Sequence, residues 1–134
     1  DSGLRSLAAA RVRGGVAPTL YLHGPDAVVP SGLQAEFVAL PLRDGRIALD
    51  AALQLLGARG INEVQVEAGP ALCGALLHAG LVDELLLYQD PVLLGDRARP
   101  LLAGLGIDNM AARLPLRLID DAVVGTDRRL LLRP

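Results

Sequence analysis

The stretch from Gly60 to Gly95, GINEVQVEAGPALCGALLHAGLVDELLLYQDPVLLG, constrains this chain more than any other. Val64-Gln65-Val66 is a short strand-like run that ends in Glu67-Ala68-Gly69-Pro70. Ala71 to Ala79 follows with helical period, placing Leu72, Ala75, Leu76 and Ala79 in a stripe that faces a sheet, and Gly80 stops it. Leu85 to Tyr88 is strand-like again. Strand, glycine turn, helix and strand make a βαβ unit, with parallel strands joined by the crossover helix. The turn lies at the start of the helix, where free backbone N–H groups and the helix dipole favour an anion such as a phosphate.

The rest of the chain extends this pattern. Residues 1–17 carry a weak helical pattern at Leu4, Leu7 and Val12, closed by Gly14-Gly15. Thr19 to His23 reads as a buried strand ended by Gly24-Pro25, and Glu36 to Leu40 as another stopped by Pro41. Arg43-Asp44-Gly45-Arg46 is an exposed turn. Asp50 can cap a helix over Ala51 to Arg59, with Leu53, Leu55 and Leu56 on its apolar face and Gly60 as its stop. Asp108 to Ala112 is one helical turn or two. Leu116 to Val124 and Leu130 to Arg133 read as a closing antiparallel hairpin around Gly125-Thr126-Asp127. Together these predict an α/β fold: a mostly parallel sheet with helices on both faces and a C-terminal antiparallel hairpin.

At 134 residues the chain suits one domain, and its 51% apolar content suffices for a core. A net charge of −2 and three aromatic residues give no reason to expect nucleic acid or a membrane surface as partner. No run of about 18 apolar residues and no basic-then-apolar leader is seen, so cytoplasmic localisation is the expectation. The single cysteine, Cys73, rules out an internal disulfide and a cysteine-rich zinc site. Its place inside a helix reads as a small buried hydrophobe.

Candidate chemistry gathers at the glycine turn. GPALCG, residues 69–74, is neither the dinucleotide fingerprint nor a Walker loop, which needs a lysine this chain lacks. Its glycines serve either a tight βα connection or a phosphate site beyond the carboxyl end of a strand. Glu67 either accepts hydrogen bonds from a polar ligand or caps the following helix. Asp83-Glu84 reads as solvated charge at a strand start. His23 and His78 are too few for a metal site; His78 suits a helix C-terminus, and His23 ends a strand on the side of Glu67. No nucleophile stands at a recognisable spacing from a base.

Several of these residues together carry a resemblance. Gly60-Ile61-Asn62, Val66 to Leu72, Gly74 to Leu77, Gly80 to Leu85 and Pro91 to Gly95 resemble the reductase domain of the riboflavin-biosynthesis deaminase/reductase. Val124-Gly125-Thr126-Asp127 fits that family's closing hairpin, and Asp1-Ser2-Gly3-Leu4-Arg5 its Asp-Ser-x-x-Arg turn. The resemblance implies a dihydrofolate-reductase-like fold that uses NADPH to reduce 5-amino-6-(5-phosphoribosylamino)uracil to the ribitylamino form, and a homodimer. By the same resemblance Gly69, Pro70, Ala71, Leu72, Cys73, Gly74 and Ala75 cradle the cofactor pyrophosphate. Glu67 faces the substrate, Ser2 and Arg5 lie near the adenosine 2′-phosphate, and His23 stands beside the adenosine. A guanidinium fork suits a phosphate and favours NADPH over NADH. The family's first central strand and its Asp- and Arg-bearing substrate loop have no counterpart in the sequence, nor has its zinc deaminase domain. We therefore expect one incomplete reductase domain, cut from a longer protein, that holds most of the cofactor half and is inactive alone. Another reductase of the same fold, or a non-catalytic dimerisation or ligand-binding module, is the alternative.

Overall fold

Leu20–His23 (β1) and Glu36–Ala39 (β2) pair in parallel, Leu20 opposite Glu36 and His23 opposite Ala39. This comes from a computed structural model that describes residues 2–5 and 17–134. The helical pattern expected around Leu7 and Val12, and Asp1, lie outside the described residues. Leu42–Arg43 (β3) and Arg46–Ile47 (β4) form a minimal hairpin. Its two loop residues, Asp44 (φ 52°) and Gly45 (φ 72°), are both left-handed, as a type I′ turn requires.

Two helices follow. Leu49–Ala58 (α1) and Pro70–His78 (α2) end alike. Gly60 (φ 78°) and Gly80 (φ 66°) take the left-handed conformation, and the next residue reaches back to the helix: Ile61 N–H to Leu56 O at 3.1 Å, Leu81 N–H to Leu76 O at 3.0 Å. This is the Schellman closure, and glycine bears the positive φ without cost. The start of α1 differs from expectation. Asp50 lies inside the first turn, Ala48 occupies the cap position, and no side chain caps it. Asp50 is drawn instead to Arg43, 3.2 Å away.

Leu85–Gln89 (β5), Arg117–Val124 (β6) and Asp127–Arg133 (β7) form an antiparallel sheet in the order β5-β7-β6. The β6–β7 hairpin confirms the closing element, with Gly125 (φ 64°) first in its two-residue loop. Glu84 belongs to an ion pair with Arg133, 2.6 Å away, in keeping with a solvated charge. Met110–Ala112 is a single 3-10 turn capped by Asn109, whose Oδ1 accepts from the Ala111 and Ala112 amides.

The α/β class holds, but two expectations within it do not. Val64-Gln65-Val66 is not a strand: no described strand pairs with it, and both valines are exposed. β-branched residues favour extended backbone, but a strand exists only where a ladder partner satisfies its N–H and C=O groups. The βαβ unit therefore lacks its first strand, and β5 runs antiparallel to β7. For the same reason the sheet is not mostly parallel. The described strands form three separate sheets, and only β1–β2 is parallel.

The chain divides into two compact units, Asp1–Val64 and Gln65–Pro134. In the first, Leu4, Leu40 and Ala48 are the buried apolar residues described; in the second, Leu76 and Leu77. This is less core than the composition promises. The sheet of the second unit shows why: Leu85, Leu87, Leu130 and Leu132 share one face by register, and Leu86 and Leu131 share the other. A sheet with leucines on both faces suits cover on both, yet no residue of β5, β6 or β7 is buried.

Ion pairs line the surface of both units. Arg59 holds Glu36 through two hydrogen bonds of 2.5 and 2.6 Å, and Arg128 pairs with Asp121 across the β6–β7 hairpin. The Arg59 hydrogen bonds hold the Glu36 carboxyl below its ordinary range, and those of Arg128 do the same for Asp121. For Asp50 the main cause is the Ala51 backbone N–H, with Arg43 second. A carboxylate with a depressed folded pKa adds stability above its unfolded pKa and loses it as pH falls through the folded value. The urea midpoint should therefore hold steady from neutral pH to about 5 and decline below about 4. Added salt should shrink that decline, because these pairs are solvent-screened.

Candidate functional site

In the second unit the site is built on the opening of α2. Gly69 occupies the cap position with φ −76° and ψ 167°, and Pro70 fills the first helical position, where a missing N–H costs nothing. The Leu72 and Cys73 amides both turn to Gly69 O, at 3.1 and 3.2 Å. No side chain caps this terminus, and its first turn carries no acidic residue. The positive end of the helix dipole is thus left to whatever approaches from outside. Glu67, Ala68, Gly69, Ala71 and Leu72 are all exposed, Leu72 by 42%.

Gly69 needs glycine for neither conformation nor internal space. Its φ is open to any residue, and a Cβ there would meet no atom within 4 Å. Gly74 is the opposite case. It is buried, and a Cβ built on it would lie 2.0 Å from the carbonyl oxygen of Ala103. Helix propensity alone would favour alanine there by about 0.8–1.0 kcal/mol, so the contact accounts for the glycine. The side of Gly74 where a Cβ would stand meets Ala103, not open space.

Glu67 is exposed and its Oε1 accepts from Gln65 Nε2 at 2.8 Å, leaving Oε2 without a partner among the described residues. It does not cap α2. Cys73 is half-buried, not buried, and its Sγ lies 3.5 Å from Ala68 O. Ala75 is half-buried on the helix flank. The buried face of α2 is Gly74, Leu76 and Leu77, so the expected stripe through Leu72 and Ala79 is rotated toward solvent.

In the first unit Ser2 and Gly24 come together, Gly24 N–H donating to Ser2 O at 2.9 Å. An open depression of about 390 Å³ forms there, lined by Ser2, Gly3, Gly24, Asp26, Ala27, Val28 and Leu42. Arg5 is exposed, its stem beside Gly3. Leu4 between them is buried and holds an unusual left-handed φ of 52°, which sends the neighbouring Gly3 and Arg5 outward. His23 does not line the depression. It is only 5% exposed, its ring lies tilted against Phe37, and its Nδ1–H donates to Gly24 O at 2.8 Å. The carbonyl can only accept, so that hydrogen bond places the proton on Nδ1. His23 thus holds the backbone of the depression and presents no ring to a ligand.

Among the described residues no group of three acidic, His or Cys side chains is placed to hold a metal ion, and no helix is long and apolar enough to cross a membrane. Ala103, which closes on Gly74, is the residue that sequence reading missed. It lies almost thirty positions along the chain with no pattern to announce it.

Curated relatives match this chain over much of its length. The riboflavin biosynthesis protein RibD of Escherichia coli K12 is 42% identical over 88 residues, 66% of this chain and 24% of its own. The 5-amino-6-(5-phosphoribosylamino)uracil reductase of Buchnera aphidicola (Acyrthosiphon pisum) is 36% identical over 66% of this chain and 43% of its own. The 2,5-diamino-6-ribosylamino-4(3H)-pyrimidinone 5′-phosphate reductase of Methanothermobacter thermautotrophicus is 36% identical over 77% of this chain and 47% of its own. The chain thus spans between about a quarter and a half of these relatives. Among solved structures, Acinetobacter baumannii RibD superposes with a TM-score of 0.66 at 28% identity, covering 86% of this chain and 36% of that one. The yeast reductase Rib7 superposes at 0.64 with 17% identity, over 87% and 51%; that likeness speaks for the fold alone. The model of the RibD C-terminal domain family matches residues 12–131, and the chain belongs to that family.

Proposed function

We propose that this chain is the cofactor-holding part of an NADPH-dependent reductase that converts 5-amino-6-(5-phosphoribosylamino)uracil to its ribitylamino form. The observation that carries the reading is the uncapped, exposed opening of α2 in a chain of this family. The names of the Buchnera and E. coli relatives support the substrate and the pathway. The family match crosses both compact units, which supports one reductase domain over two. Homodimeric assembly and a cytoplasmic location belong to the same reading.

Converting the ribosyl to the ribityl group opens the C1′–O bond of the sugar and adds a hydride at C1′ and a proton at the freed oxygen. NADPH supplies the hydride; the chain supplies binding, orientation and exclusion of water. Gly69, Pro70, Ala71 and Leu72, with Cys73 and Ala75 behind them, form the cradle for the pyrophosphate. The Ala71 N–H is the first-turn donor left without a backbone acceptor in the described residues. Ser2 and Arg5 take the adenosine 2′-phosphate, the guanidinium by paired hydrogen bonds. His23 acts there only through Gly24. Glu67 meets the substrate with its unpartnered oxygen.

Titrating the full-length protein with NADPH and with NADH tests the cofactor. NADPH should bind more tightly, and replacing Arg5 by Ala should lower that preference by about tenfold, the loss of one charge-assisted contact. An unchanged preference would remove Arg5 from the site. A second reading has one observation in its favour: the Methanothermobacter reductase matches more of this chain than the other two relatives do. In that case the diaminopyrimidinone would be the better substrate, and comparing kcat/KM for the two pyrimidines decides.

A further inference from the structure

The carbonyl of Pro70 accepts the Ala103 N–H at 3.0 Å, and one turn further on α2 is cut flat at Gly74. A Cβ on Gly74 would lie 2.0 Å from Ala103 O, 3.0 Å from its carbonyl carbon and 3.1 Å from its nitrogen. All three are backbone atoms, so no change of rotamer can relieve the clash. Only glycine allows two backbones to approach so closely. The segment that closes here, Pro100 to Gly106, has no helix or strand of its own, and Gly104 (φ 77°) and Gly106 (φ 64°) turn it on either side of Leu105.

We infer that Gly74 is a positioning residue: a notch in α2 that seats Ala103 and so fixes the turn on which the cofactor pyrophosphate rests. The inference builds on the proposed function. Pro70 is bound from outside the helix by Ala103, and Gly69 directly precedes it. The Gly74 contact and the Pro70 hydrogen bond engage one strap at two points, a turn apart on the helix. Together they fix the direction of the Gly69–Ala71 backbone, where the Ala71 N–H has no backbone acceptor among the described residues. Loosening the strap lets that backbone move, which weakens nucleotide binding but leaves hydride transfer untouched once the cofactor is bound.

Two variants of the full-length protein approach the contact from opposite sides. Gly74→Ala adds the clashing methyl, and Ala103→Pro removes the donor N–H. Each should raise KM and Kd for NADPH by about tenfold or more, the value of one well-placed hydrogen bond to a charged group, with kcat unchanged within about twofold. The double variant should be no worse than the more affected single, because both break one contact. Hydrogen exchange gives a readout free of activity. The Ala103 amide should be protected in the wild type and exchange rapidly in Gly74→Ala, while the β6–β7 amides stay protected. A lowered melting temperature with KM and kcat unchanged would overturn the positioning role. So would a fall in kcat at unchanged KM. If Gly74→Ala does not fold, the KM, Kd and kcat of Ala103→Pro decide alone. A wild type that binds no NADPH would overturn the functional reading and the positioning role together. A wild type that binds it, with both variants unaffected, would overturn the positioning role only.

Discussion

Replacing Gly69 by Ala is expected to weaken NADPH binding by about 10- to 100-fold, the worth of one or two charge-assisted backbone contacts. The stability of the protein should change by less than about 1 kcal/mol. A Cβ at this position meets nothing within 4 Å and the backbone angles suit any residue. Losing glycine at the cap costs a few tenths to about 1 kcal/mol, and the stiffer unfolded chain returns about 0.4–1. No group of the described chain is displaced by the methyl. An effect on the nucleotide therefore arises where the nucleotide approaches, which separates a cradle from a merely structural turn. Equilibrium binding followed by nicotinamide fluorescence, with urea unfolding beside it, makes the comparison. An unchanged Kd would mean that the turn only connects.

Glu67→Gln is expected to lower kcat/KM for the pyrimidine by about 10- to 100-fold while the Kd for NADPH moves by less than about threefold. The change keeps shape and removes charge. Hydrogen bonds to a charged acceptor are worth about 1.5–3 kcal/mol, and that difference falls on whichever reactant the carboxylate meets. Oε1 already accepts from Gln65, so Oε2 is the oxygen left for a ligand. Steady-state kinetics with each reactant varied in turn gives both constants. Equal loss in the two would take Glu67 out of the substrate role.

How far these features were legible in the sequence depends on how local their causes are. The stops at Gly60 and Gly80 could be read directly, because a left-handed residue after a helix is a demand of the backbone itself. β1, β2, β5 and the β6–β7 hairpin were legible from apolar runs and turn residues. The strand expected at Val64–Val66 was not, since a strand is completed by a partner elsewhere in the chain. Pairing direction shares that dependence, which is why β5 was expected in a parallel arrangement and stands antiparallel.

The candidate site divides along the same line. The opening of α2 and the carboxylate before it are contiguous in sequence; the helix starts where Gly69-Pro70 implies, while the strand expected to end at Glu67 is absent among the described residues. The buried face of α2 was misjudged because Pro70 to Leu77 is small or apolar throughout, so no period selects one side. What selects the side is Ala103, through Gly74. His23 was misjudged for a related reason: burial against Phe37 and the bond to Gly24 O are tertiary facts, and a histidine ending a strand looks alike in either setting.

Hydride transfer is tested most directly by supplying the full-length protein with NADPH deuterated at the hydride position of the nicotinamide, together with 5-amino-6-(5-phosphoribosylamino)uracil. A ribitylamino product carrying one deuterium at C1′ is expected, formed only when both reactants are present. NADPH binding without any labelled product, under conditions where a relative from this family forms it, would contradict it.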